Sequence, residues 1–546
     1  MKDLTVGRYL IESLRKIGLN DVFGIPGDYA INFFKLMEDE GINLIGTCSE
    51  QGAAFAADAY SRMNGIGALC VTYCVGGLNT VNAVAGAYAE KAPLIIISGA
   101  PGVSERNSGY LLHHMVRNLD SQFNIFKELT VASTQLTDPY TAASEIDRVI
   151  KACLAHKRPV YIELPRDMVH QKCALPLKEA DIPVYKNLCA TKEAIEEAVQ
   201  IIKDSAKPVI IAGVEIRRYK LEDKFLELLE STGLPYATTP LGKCVIEESH
   251  PQFIGTYMGK IGLEKVRRYI EEADSVIILG ALMTDTNLGS AQLDITRTIY
   301  ATADCLNIKN HCYKDVDLGD FIEGLTRELK DIKRHLIDTI EVHEEDDFEV
   351  ISDNSITVSR FFKRFGKFIR PDDAIVCDIG DSIFGSINLK LPENTIYLGP
   401  VFYTSMGYAV PAAIGIQIAN RNLRTIAVVG DGAFQMTGHE ISCCVKYGLN
   451  PIIFILNNKG YTTQRHLREG SYNDIHNWSY HLITELVGGG LGLEVNTEED
   501  LEIALEKAQK NTDSFTIINV HTNKHDKSDT LHRLTTIFSS KLGCSQ

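Results

Sequence analysis

Hard oxygen donors follow two consecutive apolar stretches in the last third of the 546-residue sequence. Asp431, in Gly430-Asp431-Gly432-Ala433, follows the first stretch, and Asn458 and Gly460 follow the second; Asn458 lies 27 residues after Asp431. A carboxylate, an amide oxygen and a backbone carbonyl suit Mg²⁺, which accepts few protein ligands and completes its octahedron with water and substrate phosphates. The small Gly432 and Ala433 would leave free N–H groups facing an anion at the start of the next helix. The pattern predicts a diphosphate held through Mg²⁺ by Asp431, Asn458 and Gly460.

These donors need a parallel sheet to bring them to one edge. Short β-branched runs recur between longer helical stretches, and uninterrupted apolar strands of this kind indicate parallel sheets that are covered on both faces. Such sheets bind ligands beyond the carboxyl ends of their strands. The fold class that we predict is α/β, with three doubly wound parallel-sheet domains. The predicted strands span residues 68–74, 93–98, 160–164, 208–212, 275–279, 374–377, 425–429, 451–456 and 515–520.

The chain divides into three units at two polar stretches, around residues 178–192 and 341–349. Residues 1–180 form the first predicted domain, residues 190–340 the central domain and residues 353–546 the third. The central unit has glycine turns at two strand ends but lacks G-x-G-x-x-G, so we expect no dinucleotide site there.

Charge and composition exclude several classes of protein. The chain has 55 Lys and Arg against 71 Asp and Glu, a net charge of −16, which is unfavourable for a general nucleic-acid binder. The sequence shows no apolar leader segment and no run of about 18 apolar residues, so we expect neither secretion nor a membrane span. We interpret the 13 cysteines as reduced, mostly buried residues of a cytoplasmic protein.

The spacing from Gly430-Asp431-Gly432 to Asn457-Asn458 is similar to the thiamine-diphosphate (ThDP) fingerprint. The resemblance covers the whole chain and is greatest to the ThDP-dependent 2-oxo acid decarboxylases of the pyruvate, indolepyruvate and branched-chain types. It implies a pyrimidine-binding first domain, a central domain and a diphosphate-binding third domain, with ThDP and Mg²⁺ as cofactors. The segments that carry it are Phe23-Gly24-Ile25-Pro26-Gly27-Asp28, Cys48-Ser49-Glu50, Ala57-Asp58-Ala59-Tyr60-Ser61-Arg62, His113-His114, Gly380-Asp381-Ser382, Gly407-Tyr408 and Ser471-Tyr472-Asn473-Asp474-Ile475.

The resemblance implies catalytic roles for four residues of the first domain. Glu50 would bond the aminopyrimidine ring of ThDP and thereby promote formation of the thiazolium ylid. Asp28 would handle the proton that replaces the lost CO₂, with His113 and His114 contacting substrate and tuning Asp28. Because neighbouring residues in a strand point to opposite faces, we expect the two histidines to lie in a loop. The histidine pair also indicates the decarboxylases, since most relatives that form acetolactate or oxidise pyruvate lack it.

The resemblance further implies cofactor contacts in the third domain. Met406 would be the apolar wedge that holds the two cofactor rings in a bent V shape, and Thr404 would offer its backbone carbonyl to the amino group. Asp381 and Ser382 would lie over the cofactor and the substrate pocket. With Glu50, the predicted cofactor-binding residues are Asp381, Ser382, Thr404, Met406, Gly430, Asp431, Gly432, Ala433, Asn458 and Gly460.

Gln464 departs from the family pattern, because the decarboxylases place a catalytic Glu there. An amide is nearly isosteric with a carboxyl and can donate a hydrogen bond, but it cannot move protons. We keep Gln464 among the predicted catalytic residues, and the first hypothesis is non-oxidative decarboxylation of a 2-oxo acid to an aldehyde through ylid and enamine intermediates. Slower aldehyde release would favour the alternative, a carboligase that forms acyloins. A third alternative is a regulatory homologue that keeps the cofactor as a structural component.

The resemblance also implies a homodimer or homotetramer. In this superfamily the first domain of one chain holds the pyrimidine end of ThDP and the third domain of its neighbour holds the diphosphate, so the active sites lie at a subunit interface. The expected partners are therefore a second copy of the chain and a small-molecule 2-oxo acid, together with an aldehyde acceptor under the carboligase alternative. Nucleic acid and membrane are not expected, and the sequence does not identify the 2-oxo acid.

Overall fold

Three α/β units follow one another along the chain, each built on its own sheet. The computed structural model describes residues 4–106, 108–175, 186–289, 294–330 and 348–541. The sheets have six, seven and six strands, which confirms the predicted three-unit α/β fold. The predicted boundary at residue 180 and most of the acidic stretch at 341–349 fall outside the described residues, so the domain limits stay predictions. No described helix combines the length and apolar character that a membrane span requires.

The first unit is a six-stranded parallel sheet with helical crossovers. Its strands are β1 (Asp21–Gly24), β2 (Asn43–Gly46), β3 (Gly67–Val71), β4 (Leu94–Ala100), β5 (Ala132–Gln135) and β6 (Val160–Pro165). Its helices are α1 (Val6–Lys16), α2 (Ile31–Asp39), α3 (Glu50–Asn64), α4 (Val81–Ala89), α5 (Ser121–Lys127) and α6 (Ala142–His156). The strand order is β2-β1-β3-β4-β6-β5, so the chain changes winding direction across the sheet.

The central unit is a seven-stranded sheet. Its strands are β7 (Pro208–Ala212), β8 (Tyr236–Thr238), β9 (Phe253–Thr256), β10 (Ser275–Leu279), β11 (Thr298–Ala301), β12 (Leu306–Ile308) and β13 (His311–Tyr313), in the order β13-β12-β11-β10-β7-β8-β9. Its helices are α7 (Leu188–Asp204), α8 (Glu215–Arg218), α9 (Glu222–Thr232), α10 (Glu264–Glu271), α11 (Asp285–Leu288) and α12 (Leu318–Leu329).

The third unit repeats the six-stranded parallel design of the first. Its strands are β14 (Ala374–Cys377), β15 (Ile396–Leu398), β16 (Thr425–Gly430), β17 (Ile452–Asn457), β18 (Leu491–Val495) and β19 (Thr516–His521), in the order β15-β14-β16-β17-β19-β18. Its helices are α13 (Val358–Phe368), α14 (Asp381–Ser386), α15 (Ala409–Ala419), α16 (Asp431–Thr437), α17 (Ser442–Tyr447), α18 (Thr462–Leu467), α19 (Ile483–Val487), α20 (Glu498–Lys510) and α21 (Asp529–Lys541).

All nine predicted strands are present, but two predictions about them were wrong in detail. β3 ends at Val71 instead of residue 74, because Cys74 adopts a φ of 52° and its N–H bonds the side chain of Gln122. The central sheet is not purely parallel, since β12 pairs antiparallel with both β11 and β13. Four residues join β11 to β12 and two join β12 to β13, too few for the crossover that parallel pairing needs.

Alternate residues of the third sheet belong to two different hydrophobic cores. In β16, Ala427 and Val429 pack into the core that also contains the first unit, whereas Ile426 and Val428 pack on the opposite side. Burial on both faces explains why this strand reads as an uninterrupted apolar run. The first and third units of one chain therefore share a single core.

Helices α3 and α15 make the contact between the first and third units. The ring of Phe55 on α3 meets Tyr408, just before α15, edge to face with 5.6 Å between the centroids. A Cβ atom added to Gly415 would lie 2.0 Å from the carbonyl oxygen of Ala56. The two backbones thus approach too closely for any residue larger than glycine at position 415.

A buried ion network supports the same contact. Arg62 on α3 donates from Nε to Oδ1 of Asp58 (2.8 Å) and from Nη2 to Oδ2 (3.0 Å), and its Nη1 lies 2.8 Å from Oε2 of Glu90. The other oxygen of Glu90 accepts the backbone N–H groups of Phe402 (2.8 Å) and Tyr403 (3.0 Å) in the third unit. Arg62 therefore pairs with two buried carboxylates, of which Glu90 also binds the third unit.

Replacing Arg62 by Met should destabilise the protein strongly, because Asp58 and Glu90 would remain buried without a cation. Breaking a buried ion pair by removing one partner costs about 3–5 kcal/mol. We expect a clear fall in the urea midpoint of unfolding. Lys35, whose ion pairs are exposed, provides the control, and Lys35→Met should leave the midpoint unchanged. Equal midpoints for Arg62→Met and the unsubstituted protein would contradict this prediction.

Candidate active site

A cleft of about 430 Å³ lies beyond the carboxyl ends of the strands of the third sheet. All the site residues predicted in the third unit line it, namely Asp381, Ser382, Thr404, Met406, Gly430, Asp431, Gly432, Ala433, Asn458, Gly460 and Gln464. Phe384, Leu534 and Phe538 add apolar surface to its wall. The fold thus brings residues from several separate loops and helices into one cavity.

Asp431 is buried at the first position of α16, where backbone N–H groups converge on its carboxylate. Oδ1 accepts the N–H of Gly432 (2.7 Å), and Oδ2 accepts those of Lys459 (2.6 Å) and Gly460 (3.2 Å). Burial raises the pKa of Asp431 to about 6, although these hydrogen bonds lower it. The sequence predicts that the N–H of Gly432 faces a bound anion. In the structure this N–H donates to the Asp431 carboxylate instead.

Asn458 supplies an oxygen atom without a partner. Its Oδ1 is buried and accepts no hydrogen bond within the part of the chain that the structure describes. An unsatisfied buried acceptor costs about 1–3 kcal/mol. A divalent cation bound by Asn458 and Asp431 would satisfy that oxygen and stabilise the buried carboxylate, and both are donors that Mg²⁺ accepts. The residues present therefore fit the predicted metal.

Two glycines near Asp431 and Asn458 lie where neighbouring groups leave no room for a side chain. A Cβ atom on Gly432 would lie 2.5 Å from the ring of Tyr461, and one on Gly460 would lie 2.1 Å from the carbonyl oxygen of Asn473. Real Cβ atoms do not make contacts this short, so a side chain at either position would push its neighbour aside. These two positions require glycine because the backbone is closely surrounded.

Asp378, which the sequence reasoning did not select, orders the loop that carries the predicted wedge. It is fully buried directly after β14, where Oδ1 accepts the N–H of Gly407 (3.1 Å) and Oδ2 that of Ala409 (2.9 Å). Burial raises its pKa to about 6 against the lowering effect of these bonds. In the same loop Thr404 adopts a φ of 59°, a strained value for a β-branched residue, and both Thr404 and Met406 face the cleft. An acid directly after an apolar strand was the available signal for Asp378.

Asp381 connects the cleft with the last helix of the chain. Its Oδ1 accepts the backbone N–H (3.1 Å) and the hydroxyl (2.6 Å) of Ser528, immediately before α21. Burial raises the pKa of Asp381 to about 7, although the bonds from Ser528 lower it. Next to it, the hydroxyl of Ser382 is buried and has no partner among the described residues. Leu534 and Phe538 of α21 complete this side of the cavity.

Gln464 lies on α18, which begins two residues after Gly460. Its side chain is exposed to the cleft, beside Thr463. α18 also packs against α21, so Gln464 lies between the loop of Asn458 and Gly460 and the apolar wall from the last helix. The side chain is therefore open to a molecule in the cleft, and its catalytic role stays a prediction.

The predicted proton-handling residues form a second cluster, in the first unit. Nε2 of His113 lies 2.5 Å from Oδ2 of Asp28, and the ligand atoms of Asp28, His113 and His114 all lie within 4.8 Å of one another. The two histidines lie in a turn, as expected, with His114 at a φ of 64°. Tyr29 was not selected from the sequence; its ring stacks on His113 at 4.5 Å and its hydroxyl lies 3.2 Å from Nδ1.

The contact between Asp28 and His113 favours an ionised carboxylate. Burial raises the pKa of Asp28, but the hydrogen bond and the charge of His113 outweigh burial, so the pKa lies below its ordinary value of 3.8. The side chains of Asp28 and His113 are 45% and 54% exposed in the single chain. The contact between Asp28 and His113 is therefore at a position that a substrate can reach.

Glu50 is the first residue of α3. The preceding Ser49 is the N-cap, and its side chain accepts the N–H of Gly52. Asn79, which the sequence reasoning did not select, donates from Nδ2 to Oε2 of Glu50 at 2.8 Å. Glu50 is thus fixed at the carboxyl edge of the first sheet by a local cap and one long-range amide.

One chain does not bring all the predicted site residues together. Asp28, Glu50, His113 and His114 are absent from the residues that line the cleft of the third unit. They lie in the first unit, at the Asp28–His113 cluster and at the start of α3. The described residues therefore hold the predicted site residues in two separate groups, called half-sites below, one in the first unit and one in the cleft of the third.

Family comparisons match all three units in the order of the sheets. The N-terminal TPP binding domain of the thiamine pyrophosphate enzymes matches residues 4–125, their central domain residues 195–324 and their C-terminal TPP binding domain residues 368–520. The N-terminal match includes Asp28, Glu50, His113 and His114, and the C-terminal match includes Asp431. Each half-site thus lies in a domain that is named for binding thiamine pyrophosphate.

Curated relatives are similar over nearly the whole chain. An indole-3-pyruvate decarboxylase of Azospirillum brasilense is 36% identical over 534 residues, which cover 96% of this chain and 96% of the relative. Pyruvate decarboxylase 1 of Pisum sativum is 33% identical, covering 97% of this chain and 92% of the relative. A pyruvate decarboxylase of Aspergillus fumigatus is 32% identical, with coverages of 92% and 90%.

Asp381 should make stability depend on pH between about 4 and 7. Because its pKa rises from 3.8 to about 7 on folding, the folded protein holds a proton that the unfolded chain releases, and this contribution to stability is lost as the pH rises through that interval. Asn cannot titrate. The Tm of Asp381→Asn minus the Tm of the unsubstituted protein should therefore increase from pH 5 to 7 and stay constant above pH 8.

Thermal unfolding of the cofactor-free protein at a series of pH values measures this difference. The matched control is Asp372→Asn, because Asp372 is exposed on the same unit. Parallel Tm curves for Asp381→Asn and the unsubstituted protein over the whole range would show that Asp381 does not hold the proton.

Proposed function

The chain belongs to the thiamine pyrophosphate enzymes, in the family of the 2-oxo acid decarboxylases, and we propose that it removes CO₂ from a 2-oxo acid without oxidation and releases an aldehyde. The observation that carries the proposal is the unpartnered oxygen of Asn458 in the same cleft as the buried carboxylate of Asp431. That cleft also has apolar walls that can take the side chain of a 2-oxo acid.

Residues of the third unit hold the cofactor in this proposal. Asp431, Asn458 and the carbonyl of Gly460 would hold Mg²⁺, which would supply positive charge for binding the diphosphate. Met406 and Thr404 would position the rings, and the fixed loop that carries them limits their movement. Bound there, ThDP would supply the electron sink for the electrons that the departing carboxylate leaves behind.

Residues of the first unit move the protons. Glu50, oriented by Asn79, would hydrogen-bond the pyrimidine nitrogen and place a proton there. Asp28 would handle the proton that replaces CO₂ on the reacting carbon, together with His113, whose Nε2 lies 2.5 Å from its Oδ2. Tyr29 would hold the ring of His113 in place.

A second copy of the chain completes the site in this proposal. Glu50 and His113 of one chain must meet the Asp431 cleft of another, since both half-sites are open and separate in a single chain. A C2 dimer supplies both halves twice. Tetramers would be pairs of such dimers. We propose the cytoplasm as the location, in keeping with the described cysteines being free thiols.

Gln464 supports a second candidate function, carboligation. After CO₂ leaves, the reacting carbon either takes a proton and gives the aldehyde, or bonds a second carbonyl carbon and gives an acyloin. Gln464 lines the cleft where an acid would assist the first outcome, yet an amide carries no transferable proton. A donor 2-oxo acid with an acceptor aldehyde would then be the substrate pair.

Mixing two inactive variants tests the shared site. Asp431→Ala should fail to retain ThDP because a metal ligand is lost, and Glu50→Gln should keep ThDP but not turn over. In a freely exchanged equimolar mixture half of the dimers are mixed and each has one intact site, so about a quarter of the unsubstituted decarboxylase activity should return. CO₂ release from a panel of 2-oxo acids is the measurement.

The control is the doubly substituted chain Glu50→Gln/Asp431→Ala. Mixed with either single variant it offers no intact site across a dimer interface, so no activity should return. A mixture of the single variants that remains inactive after verified subunit exchange would reject the shared site. Absence of CO₂ release by the unsubstituted, ThDP-loaded protein from every 2-oxo acid would reject decarboxylation itself and leave the regulatory homologue.

Gln464→Glu should raise the ratio of aldehyde to acyloin when an acceptor aldehyde is present. General acid catalysis is worth about 10²–10⁴-fold, so restoring a carboxyl should favour protonation over carbon–carbon bond formation. Both products are measured in the same reactions, at equal ThDP occupancy. Thr463→Ser, a change at the neighbouring cleft residue that adds no acid, is the control. A ratio that is unchanged or lower in Gln464→Glu would exclude Gln464 as the determinant.

A further inference from the structure

Two cysteines from different units meet next to the helix that begins with Glu50. Thr47, Cys48 and Ser49 link β2 to α3, and the thiol of Cys48 is exposed. Its Sγ lies 3.0 Å from the hydroxyl of Ser442 at the start of α17. Cys48 therefore reaches from the first unit to the surface of the third.

Cys443 is the buried member of the pair. It follows Ser442 on α17, and its Sγ lies 3.7 Å from Oε2 of Glu440 and 3.7 Å from the carbonyl oxygen of Gly46. The sulfur atoms of Cys48 and Cys443 lie within 4.8 Å of each other. A disulfide bond is about 2.05 Å long, so a small side-chain movement joins them.

We propose that Cys48 and Cys443 form a reversible disulfide on exposure to hydrogen peroxide, linking the first and third units of one chain and slowing its turnover. The bond does not depend on the proposed function, whereas the effect on turnover rests on it. The pair thus makes a modification site that lies outside the cofactor cleft.

The reaction balances with one peroxide for each bond. The sulfur of Cys48 attacks one peroxide oxygen, the O–O bond breaks, and Cys48 becomes a sulfenic acid with release of one water. The sulfur of Cys443 then attacks the sulfur of Cys48, the S–O bond breaks and a second water leaves. Two thiols lose two electrons and two protons, and the peroxide is reduced to two waters.

The environments of the two thiols set this order. Burial first, and then the charge of Glu440, raise the pKa of the Cys443 thiol, so it is a poor first target. Cys48 is the exposed sulfur that peroxide reaches. Glu440 lies beside Cys443 and accepts its proton when the second bond forms.

The effect on turnover follows from what Glu440 holds. Its carboxylate accepts the N–H of Cys48 (2.8 Å), and the N–H (2.9 Å) and hydroxyl (2.7 Å) of Ser49. Ser49 in turn caps the helix in which Glu50 is the first residue. Drawing Cys48 from Ser442 towards Cys443 shifts the residues that position Glu50, so its proton contact with the cofactor is misplaced.

The test oxidises the ThDP-loaded protein with limiting hydrogen peroxide. Non-reducing peptide mass spectrometry should find the peptides of Cys48 and Cys443 linked, with loss of two hydrogen atoms. Decarboxylase activity should fall with the same time course, by at least fivefold at full linkage, and return on addition of dithiothreitol. The linked peptide is measured without turnover, so an inactive protein would reject the proposed function and leave this inference open to its own test.

Variants separate this pair from the other thiols. Cys48→Ser changes an exposed residue and should abolish both the linked peptide and the reversible loss of activity; Cys443→Ala should do the same. Cys444→Ala removes the adjacent buried thiol and is the matched control, with linkage and loss of activity unchanged. Absence of the linked peptide under conditions that fully oxidise the exposed Cys189 would overturn the inference. Full activity of the linked protein would also overturn it, and so would an undiminished loss of decarboxylase activity when Cys48→Ser is oxidised.

Discussion

The close approach of α3 to α15 is the constraint on which the arrangement of the site depends. It requires glycine at position 415 and a shared core between the first and third units. Arg62 supports this contact, because it pairs with Asp58 and with Glu90, and Glu90 also binds the backbone of the third unit. The same helix begins with Glu50, yet Glu50 does not line the cleft of its own third unit. Packing within the chain thus fixes the position of Glu50 without bringing it to that cleft.

The third unit also buries carboxylates at the cleft. Asp378, Asp381 and Asp431 all follow strand or loop ends at the cleft, and burial raises the pKa of each. Backbone N–H groups or Ser528 compensate part of the lost hydration, which holds the surrounding loops in one conformation. A bound cation would further stabilise the buried carboxylate of Asp431. Preorganised loops of this kind need little rearrangement when ligands bind.

Much of the fold was predictable from local pattern. Uninterrupted apolar runs located nine strands, because a strand buried on both faces has no polar side. The pattern also identified Asp431, Asn458 and Gly460, since the carboxyl ends of adjacent parallel strands meet at one edge. The pattern did not locate the other ten strands of the described residues, among them β12 and β13, whose short strands and short loops carry little periodic signal. It also misplaced the end of β3, where a long-range contact from Gln122 holds Cys74 out of the strand.

The sequence by itself determined the unit order, the positions of nine apolar strands and the residue types that suit a diphosphate and a cation, because these depend on local periodicity and on chemistry along the chain. Only the tertiary structure decided which groups orient them. Asp378 and Gly407 are 29 residues apart, Asn79 and Glu50 are also 29 apart, and Glu440 bonds Ser49 across 391 residues. Such contacts leave no periodic trace in the sequence, because each partner is a single polar residue whose role exists only once folding has placed it beside the other.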